Sequence, residues 1–292
     1  MTFMTFCLTA GLFAGLLTAG MALPLAAQEL HEFADSSRLV SIGGSLTEIV
    51  YALGEEDKLV ARDQTALYPE AALALPDVGY MRALAPEGVL SVSPTALLVI
   101  EGSGPPEALE VLTHAGVEYQ SVPEGFSHAG ILSKVRAVGQ ALGVTDKAEA
   151  LANELDTALK AVETRVAGIT ERKRVLFVLS VDGGKIQASG TGTAADGILA
   201  LAGAINAIDE YSGYKALTEE AIIEAAPDVI LMMDRGGDHA ATEEQLIGNP
   251  AIALTEAGRN HAIVRLEGSY LLGFGPRTAN AVSDLVDAIY GQ

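Results

Sequence analysis

A tyrosine followed two positions later by an arginine is the pair in this chain best suited to bind a metal centre. Tyr80 comes directly after Gly79, which marks a turn, and Arg82 follows it after one methionine. A guanidinium close to a phenol oxygen stabilises the phenolate, because an opposite charge favours the ionised form. A phenolate is a hard anionic oxygen that suits ferric iron, and tyrosine is a known axial ligand of haem. The alternative is that Tyr80 is a packing residue with an exposed hydroxyl.

The second half of the chain repeats the pattern around this pair. Residues 84–94 and 217–227 share one arrangement of leucine, glutamate and proline, and an apolar strand pattern follows each proline. The matching positions are Leu84 and Leu217, Glu87 and Glu220, and Pro94 and Pro227. Two lobes of one design would face each other across a cleft, which is a common place for a ligand site.

The repeat also predicts which residues face Tyr80 from the second lobe. Gly213-Tyr214-Lys215 is the counterpart of the segment at Tyr80, and the loop that begins at Asp234 is the counterpart of the loop at Glu101. Tyr214, Lys215 and Arg235 are therefore expected at the cleft. The two cations could hold anionic ligand groups, such as haem propionates, through charge-assisted hydrogen bonds. The alternative is that both are solvated surface charges.

The elements that carry these residues alternate between strand and helix. Residues 38–42, a Gly-Gly-Ser turn, a helix over 46–53 and a strand over 58–61 form a crossover unit, in which Ser45 is the expected helix N-cap. Residues 146–169 form one long amphipathic pattern without an internal proline. The sequence therefore predicts an α/β protein with two Rossmann-like lobes, each with a parallel sheet, joined by one long helix. The expected boundaries are 1–27 for an N-terminal signal segment, 28–144 for the first lobe, 145–169 for the linking helix and 170–292 for the second lobe.

Composition excludes several classes of function. The net charge of −20 argues against nucleic acid and against an anionic membrane surface, since both need basic patches. The sole cysteine, Cys7, lies in the N-terminal apolar run, so no disulfide is expected in the rest of the chain. The glycine-rich turn after the first strand lacks the lysine and the spacing of a nucleotide-binding loop. No pair of carboxylates or nucleophilic serine stands in a recognised catalytic motif, so an enzyme is not expected.

The N-terminal segment is typical of a secretory signal. Residues 3–25 are apolar and small, and two alanines precede Gln28, which favours cleavage after about Ala27. No lysine or arginine precedes Arg38, so the usual basic start is missing. The alternative is a membrane anchor, because the run is just long enough to span a bilayer.

Three stretches resemble the periplasmic haem-binding proteins of haem ABC importers, within the class III family of cobalamin- and siderophore-type binding proteins. They are residues 40–54, 75–84 and 104–109, and the similarity extends from about Arg38 to Tyr290. The Gly-Tyr-Met-Arg run is the specific part, since the other two occur across the wider family. The resemblance implies that Tyr80 ligates haem iron and that Arg82 hydrogen-bonds its oxygen.

The resemblance also implies partners and a compartment. Proteins of this kind are periplasmic monomers that deliver haem to an ABC permease with its ATPase subunit at the inner membrane. A glutamate on each lobe docks into arginine pockets of the permease, and Glu87 and Glu220 occupy those places here. The alternative for Glu87 and Glu220 is that they only complement the dipoles of their helices. The alternative for the ligand is a ferric siderophore, cobalamin or a metal ion.

Overall fold

The computed structural model describes residues 30–234 and 242–291, which form ten strands and twelve α-helices. The first lobe comprises β1 Leu39–Ile42, α1 Gly44–Ala52, β2 Leu59–Arg62, α2 Pro86–Leu90, β3 Ala96–Ile100, α3 Pro106–His114, β4 Glu118–Val122 and α4 His128–Ala141. The connecting helix is α5 Thr145–Ala167. The second lobe comprises β5 Arg174–Asp182, β6 Lys185–Ser189, α6 Ala194–Leu201, β7 Ile205–Asn206, β8 Tyr214–Ala216, α7 Glu219–Ala225, β9 Val229–Asp234, α8 Glu243–Ile247, α9 Pro250–Ala253, α10 Glu256–Arg259, β10 Ile263–Glu267, α11 Gly268–Leu272 and α12 Thr278–Tyr290.

The first lobe is built on a parallel sheet in the order β2-β1-β3-β4. Its central strands are fully buried, as expected for strands covered by helices on both faces. Ligands in such sheets bind outside the carboxyl ends of the strands. The segments after β2, between residues 63 and 85, and after β3, around residue 103, lie at that edge.

The second sheet is mixed, which differs from the all-parallel sheet that the sequence predicts. Strands β10, β9 and β5 are parallel, but β6 turns back against β5, and β8 pairs antiparallel with β6. The cause is local, because Gly183 and Gly184 both have positive φ and close a hairpin between β5 and β6. This hairpin adds β6 to one edge of the parallel strands, and β8, which carries Tyr214, pairs with β6.

The two lobes share one apolar core that passes through the long helix. A single cluster of buried side chains contains Leu46 of the first lobe, Leu155 of α5, and Phe177 and Val282 of the second lobe. The expected α/β fold of two lobes and one long helix is therefore confirmed.

The start of α1 departs from the expected capping. Ser45 lies inside the helix and is buried, and its N-cap is Gly43, which has φ 118° and no side chain. Asp63 accepts a hydrogen bond from the amide of Gly43, and the Thr65 hydroxyl accepts one from Gly44. The cap is supplied by a distant segment instead of by the helix itself, which sequence periodicity does not reveal.

Candidate ligand-binding site

The tyrosine and arginine of the first lobe are in direct contact. Nη1 of Arg82 donates a hydrogen bond to Oη of Tyr80 at 2.9 Å. Tyr80 is 39% exposed and Arg82 is exposed, so both side chains are accessible to solvent. Arg82 makes no ion pair with any carboxylate of the described residues. Its charge is therefore available to the phenol oxygen, which accepts the bond.

The backbone on both sides of Tyr80 is held by the neighbouring loops. Val78 donates to the carbonyl of Arg62, and the amide of Gln64 donates to the carbonyl of Gly79 at 2.8 Å. Beyond the tyrosine, the amide of Leu84 donates to the carbonyl of Gly104 at 2.9 Å. Gly79 has φ 104°, a conformation that favours glycine and turns the chain immediately before Tyr80. The loop is irregular but anchored at both ends, which positions the phenol.

The second-lobe counterpart is held in a different way. Tyr214 begins strand β8, pairs with Ser189 of β6 and lies 6.5 Å from the ring of Phe177. Nζ of Lys215 stands 4.9 Å above the ring of Tyr211. Neither Tyr214 nor Lys215 contacts Tyr80 or Arg82 through a hydrogen bond or ion pair of the described residues. Arg235 lies outside the described residues.

A cavity of about 480 Å³ opens between the lobes, and its lining residues are not among those that the sequence predicts. It is lined by Leu67, Tyr68, Glu267, Ser269, Tyr270 and Arg277. The first two come from the first lobe, in the segment after β2. The others come from the second lobe, where Glu267 is the last residue of β10 and the rest follow it.

Arg277 lines this cavity and joins the two lobes. Its Nε and Nη2 donate to the two carboxylate oxygens of Glu48 at 2.9 and 2.5 Å. The guanidinium carbon lies 3.9 Å from the ring centre of Tyr68 and 5.2 Å from that of Tyr270. Such a guanidinium combines a bidentate ion pair with stacking on aromatic rings. The contacts fix the second lobe against helix α1 and the loop after β2.

A buried lysine also connects the two lobes. Lys134 is fully buried, and its Nζ donates to Glu124 at 2.5 Å and to the backbone carbonyl of Phe274 in the other lobe at 3.2 Å. Burial lowers the pKa of Lys134, and the charge of Glu124 opposes that shift. The ring of Phe274 packs edge-on against Phe126 of the first lobe at 5.2 Å.

One signal in the sequence indicates that Glu48 has a partner in a distant segment. Glu48 stands among apolar residues of α1 and is 7% exposed. A carboxylate on an apolar helix face needs a buried cation as its partner. That rule predicts a partner but not which one, because Arg277 is 229 positions away in the sequence.

Comparisons with known proteins identify the family. The family described as "Periplasmic binding protein" matches residues 39–270. The chain belongs to the periplasmic binding protein family. This binding protein is 38% identical to the "Periplasmic heme-binding protein RhuT from Roseiflexus sp. RS-1 in apo form", with a TM-score of 0.84, over 88% of this chain and 99% of that chain. It is also 38% identical to the "Periplasmic heme-binding protein BhuT in complex with two hemes", with a TM-score of 0.82, over 86% of this chain and 97% of that one.

Curated relatives of the binding protein are more distant. The "Uncharacterized ABC transporter substrate-binding lipoprotein YvrC" of Bacillus subtilis is 29% identical over 88% of this chain and 81% of its own length. A "Vitamin B12-binding protein" of Vibrio campbellii is 23% identical over 86% of this chain and 89% of its own length. The relatives therefore include binding proteins named for two different large ligands.

Two surface glutamates occupy matching places on the lobes of this binding protein. Glu87 is the second residue of α2 and Glu220 is the second residue of α7, and both side chains are exposed. Hydrogen bonding at the start of α7, from its own backbone amide and then from Thr218, lowers the pKa of Glu220. The expected equivalence of the two positions extends to their place within each helix.

Other features bear on metal binding and on the membrane. Within residues 30–234 and 242–291, no three or more side chains of His, Cys, Asp or Glu cluster as a metal site. No helix in the same ranges is long and apolar enough to span a bilayer. The expected signal segment, residues 1–27, lies outside the described residues.

Proposed function

We propose that this protein binds haem in the cleft between its lobes and delivers it to an ABC permease and its ATPase subunit. The observation that carries this proposal is the 2.9 Å hydrogen bond from Arg82 to the oxygen of the exposed Tyr80. A phenolate held in this way is a ligand for ferric haem. The 38% identity to two proteins described as haem-binding supports the same ligand.

In this proposal Tyr80 is the iron ligand and Arg82 stabilises its phenolate. Tyr214, Lys215 and Arg235 contact the ligand from the second lobe, where the two cations hold carboxylates through charge-assisted hydrogen bonds. The exposed Nζ of Lys215 has only an aromatic neighbour in the described structure, so it is available for that contact. No chemical step on the ligand is part of this function, so the protein acts as a carrier and not as an enzyme.

Delivery requires docking at the inner membrane. Glu87 and Glu220 contribute one exposed carboxylate from each lobe, and we propose that they contact basic pockets of the two permease subunits. Matched charges at an interface raise specificity and association rate more than they raise stability. The protein would work in the periplasm as a monomer after removal of residues 1–27. The proposed lobe boundaries stay at residues 28–144 and 170–292, with the helix over 145–169 between them.

A second ligand class has specific support, because one relative of similar length is named a vitamin B12-binding protein. The two ligands predict different behaviour of the purified protein. Titration with ferric haem should give a saturable Soret band that excess cobalamin, a ferric siderophore or a free divalent metal ion does not displace. Tight cobalamin binding, with haem bound weakly and without saturation, would replace the haem proposal by the alternative.

A further inference from the structure

The two ends of the cleft differ in charge. At one end lies the 480 Å³ cavity, whose walls include Leu67, Tyr68 and Tyr270. Leu67 is 49% exposed and Tyr68 is 46% exposed, so both present apolar surface to the opening. The segment that carries them is bonded to the segment that carries the proposed iron ligand, because the amide of Gln64 donates to the carbonyl of Gly79. A planar ligand bound at Tyr80 would therefore meet this wall.

The cavity contains a guanidinium that is already paired with a carboxylate. Arg277 is bound through two nitrogens by Glu48, and its flat faces are covered by Tyr68 and Tyr270. Two further carboxylates are close by. Glu267 accepts bonds at the start of α11, and Asp284 accepts a bond from the hydroxyl of Tyr270 at 2.8 Å.

The second tyrosine of this cavity stays a neutral phenol. Burial, together with its bond to Asp284, raises the pKa of Tyr270 to about 12. Its hydroxyl is committed to the carboxylate, so the ring is the part that faces the cavity. One guanidinium among three carboxylates and two rings does not attract an anionic group, but it accepts an apolar one.

Within the described residues, the cation at the other edge of the second sheet has no carboxylate partner. Lys215 lies on β8, and the strand order β10-β9-β5-β6-β8 puts that strand at the opposite edge from β10. With neighbouring strands about 4.8 Å apart, the two edges are roughly 19 Å apart. The Lys215 ammonium is exposed, and within the described residues its neighbour is the ring of Tyr211.

We propose that this polarity orients the ligand, so that an apolar edge of the porphyrin enters the Leu67–Tyr68–Tyr270 cavity and its carboxylates face Lys215. The inference rests on the haem function proposed above. It assigns Leu67, Tyr68 and Tyr270 to ligand recognition, and it assigns Arg277 to positioning these walls and not to binding a carboxylate. The cavity end buries methyl and vinyl groups, and the Lys215 end neutralises charge.

Porphyrin analogues separate the two ends. Iron deuteroporphyrin lacks the two vinyl groups of haem, and haem dimethyl ester lacks its carboxylate charges. Each buried methylene-sized group contributes about fourfold to affinity, and a vinyl group has two such carbons. The wild type should therefore prefer haem to the deuteroporphyrin by about 15-fold if one vinyl group is buried, and by about 200-fold if both are. The ester should also bind more weakly than haem. For each variant, titration gives two affinity ratios. The ratio for the vinyl groups is the affinity for haem over that for the deuteroporphyrin, and the ratio for the ester is the affinity for haem over that for the dimethyl ester.

Two exposed residues provide the variants. Leu67→Ala should reduce the ratio for the vinyl groups and leave the ratio for the ester unchanged. Lys215→Gln should reduce the ratio for the ester and leave the ratio for the vinyl groups unchanged. Leu254→Ala, at an exposed leucine that does not line the cavity, serves as the control and should change neither ratio.

The outcomes distinguish the orientation from the function. The opposite pattern, or two variants that change both ratios equally or change neither, would overturn the proposed orientation. A crystal structure of the haem complex with a carboxylate bonded to Arg277 would overturn it as well. A wild-type protein that binds none of the three porphyrins would refute the haem function itself, and the orientation with it.

Discussion

The segments at Tyr80 and at Tyr214 are equivalent in the sequence repeat but differ in structure. Tyr80 lies in an irregular loop, and its oxygen accepts a hydrogen bond from Arg82. Tyr214 lies in a strand whose backbone is paired with β6, and the cation beside it, Lys215, stands over the ring of Tyr211 instead. The two tyrosines are equally exposed, at 39%. Exposure therefore does not distinguish them, but the partner of the oxygen does.

The difference around the two tyrosines is confined to the loops and the strands next to them. The elements after the loops remain equivalent, since α2 leads to β3 and α7 leads to β9, each through a proline. The hairpin of β5 and β6 provides an edge to which β8 pairs, and this pairing fixes the second loop. We infer that the first-lobe loop provides the iron ligand through Tyr80 and that the second lobe provides further contacts to the bound haem.

Replacing each tyrosine by phenylalanine tests that inference most strongly. Partners of a metal ligand are typically worth 10–100-fold in metal affinity, so loss of the ligand itself in Tyr80→Phe should weaken haem binding by about 100-fold or more. Tyr214→Phe is the matched control and should change the affinity by only a few fold. Haem titrations of both variants measure the effect. Equal losses in the two variants would contradict the difference between the lobes.

The arginine beside Tyr80 should have the next largest effect. Without its charge the phenolate is less stabilised, so Arg82→Ala should lose about 10–100-fold in haem affinity. Protons should also displace the iron more readily, and haem release on acidification should begin at a higher pH than in the wild type. Arg82→Lys retains a positive charge and should lie between the two. Identical release profiles for Arg82→Ala and the wild type would rule out this role.

The second-lobe cation should matter less. A hydrogen bond from Lys215 to a ligand carboxylate is exposed to solvent, which screens it, so Lys215→Ala should weaken haem binding by about fivefold. The loss should be larger at low salt than at high salt, since screening shortens the range of charge interactions. Affinity measured at two ionic strengths provides the test. A loss that does not depend on salt would mean that Lys215 acts through packing on Tyr211.

Replacing the glutamates on α2 and α7 should leave haem affinity unchanged. The double variant Glu87→Gln and Glu220→Gln removes one exposed charge from each lobe and leaves the bond between Arg82 and Tyr80 in place, so only transfer to the permease should be lost. A matched control is Glu154→Gln with Glu171→Gln, which removes two exposed charges on and after the long helix. Haem uptake into vesicles that contain the transporter compares the two. Normal uptake by the first double variant would reduce these residues to helix-dipole partners.

The sequence predicts the strands and helices of this protein better than it predicts the contacts between its two lobes. Strands such as β3 and β9 follow from short apolar runs after a proline, and α5 follows from its long amphipathic pattern. The contact between Tyr80 and Arg82 is local, so its spacing in the sequence was sufficient to suggest it. The hairpin of β5 and β6, the cap of α1 by Asp63 and Thr65, and the pair of Glu48 and Arg277 depend on tertiary packing between distant segments. Local periodicity carries no information about which distant segments meet.

The central claim is that the oxygen of Tyr80 binds the iron of haem as a phenolate. Resonance Raman spectroscopy of the ferric complex tests it directly, because excitation in the phenolate-to-iron charge-transfer band enhances the vibrations of a bound phenolate. These vibrations should be present in the wild type, retained in Tyr214→Phe and absent from Tyr80→Phe. Phenolate vibrations that persist in Tyr80→Phe, or that are absent from the wild-type complex, would contradict the assignment.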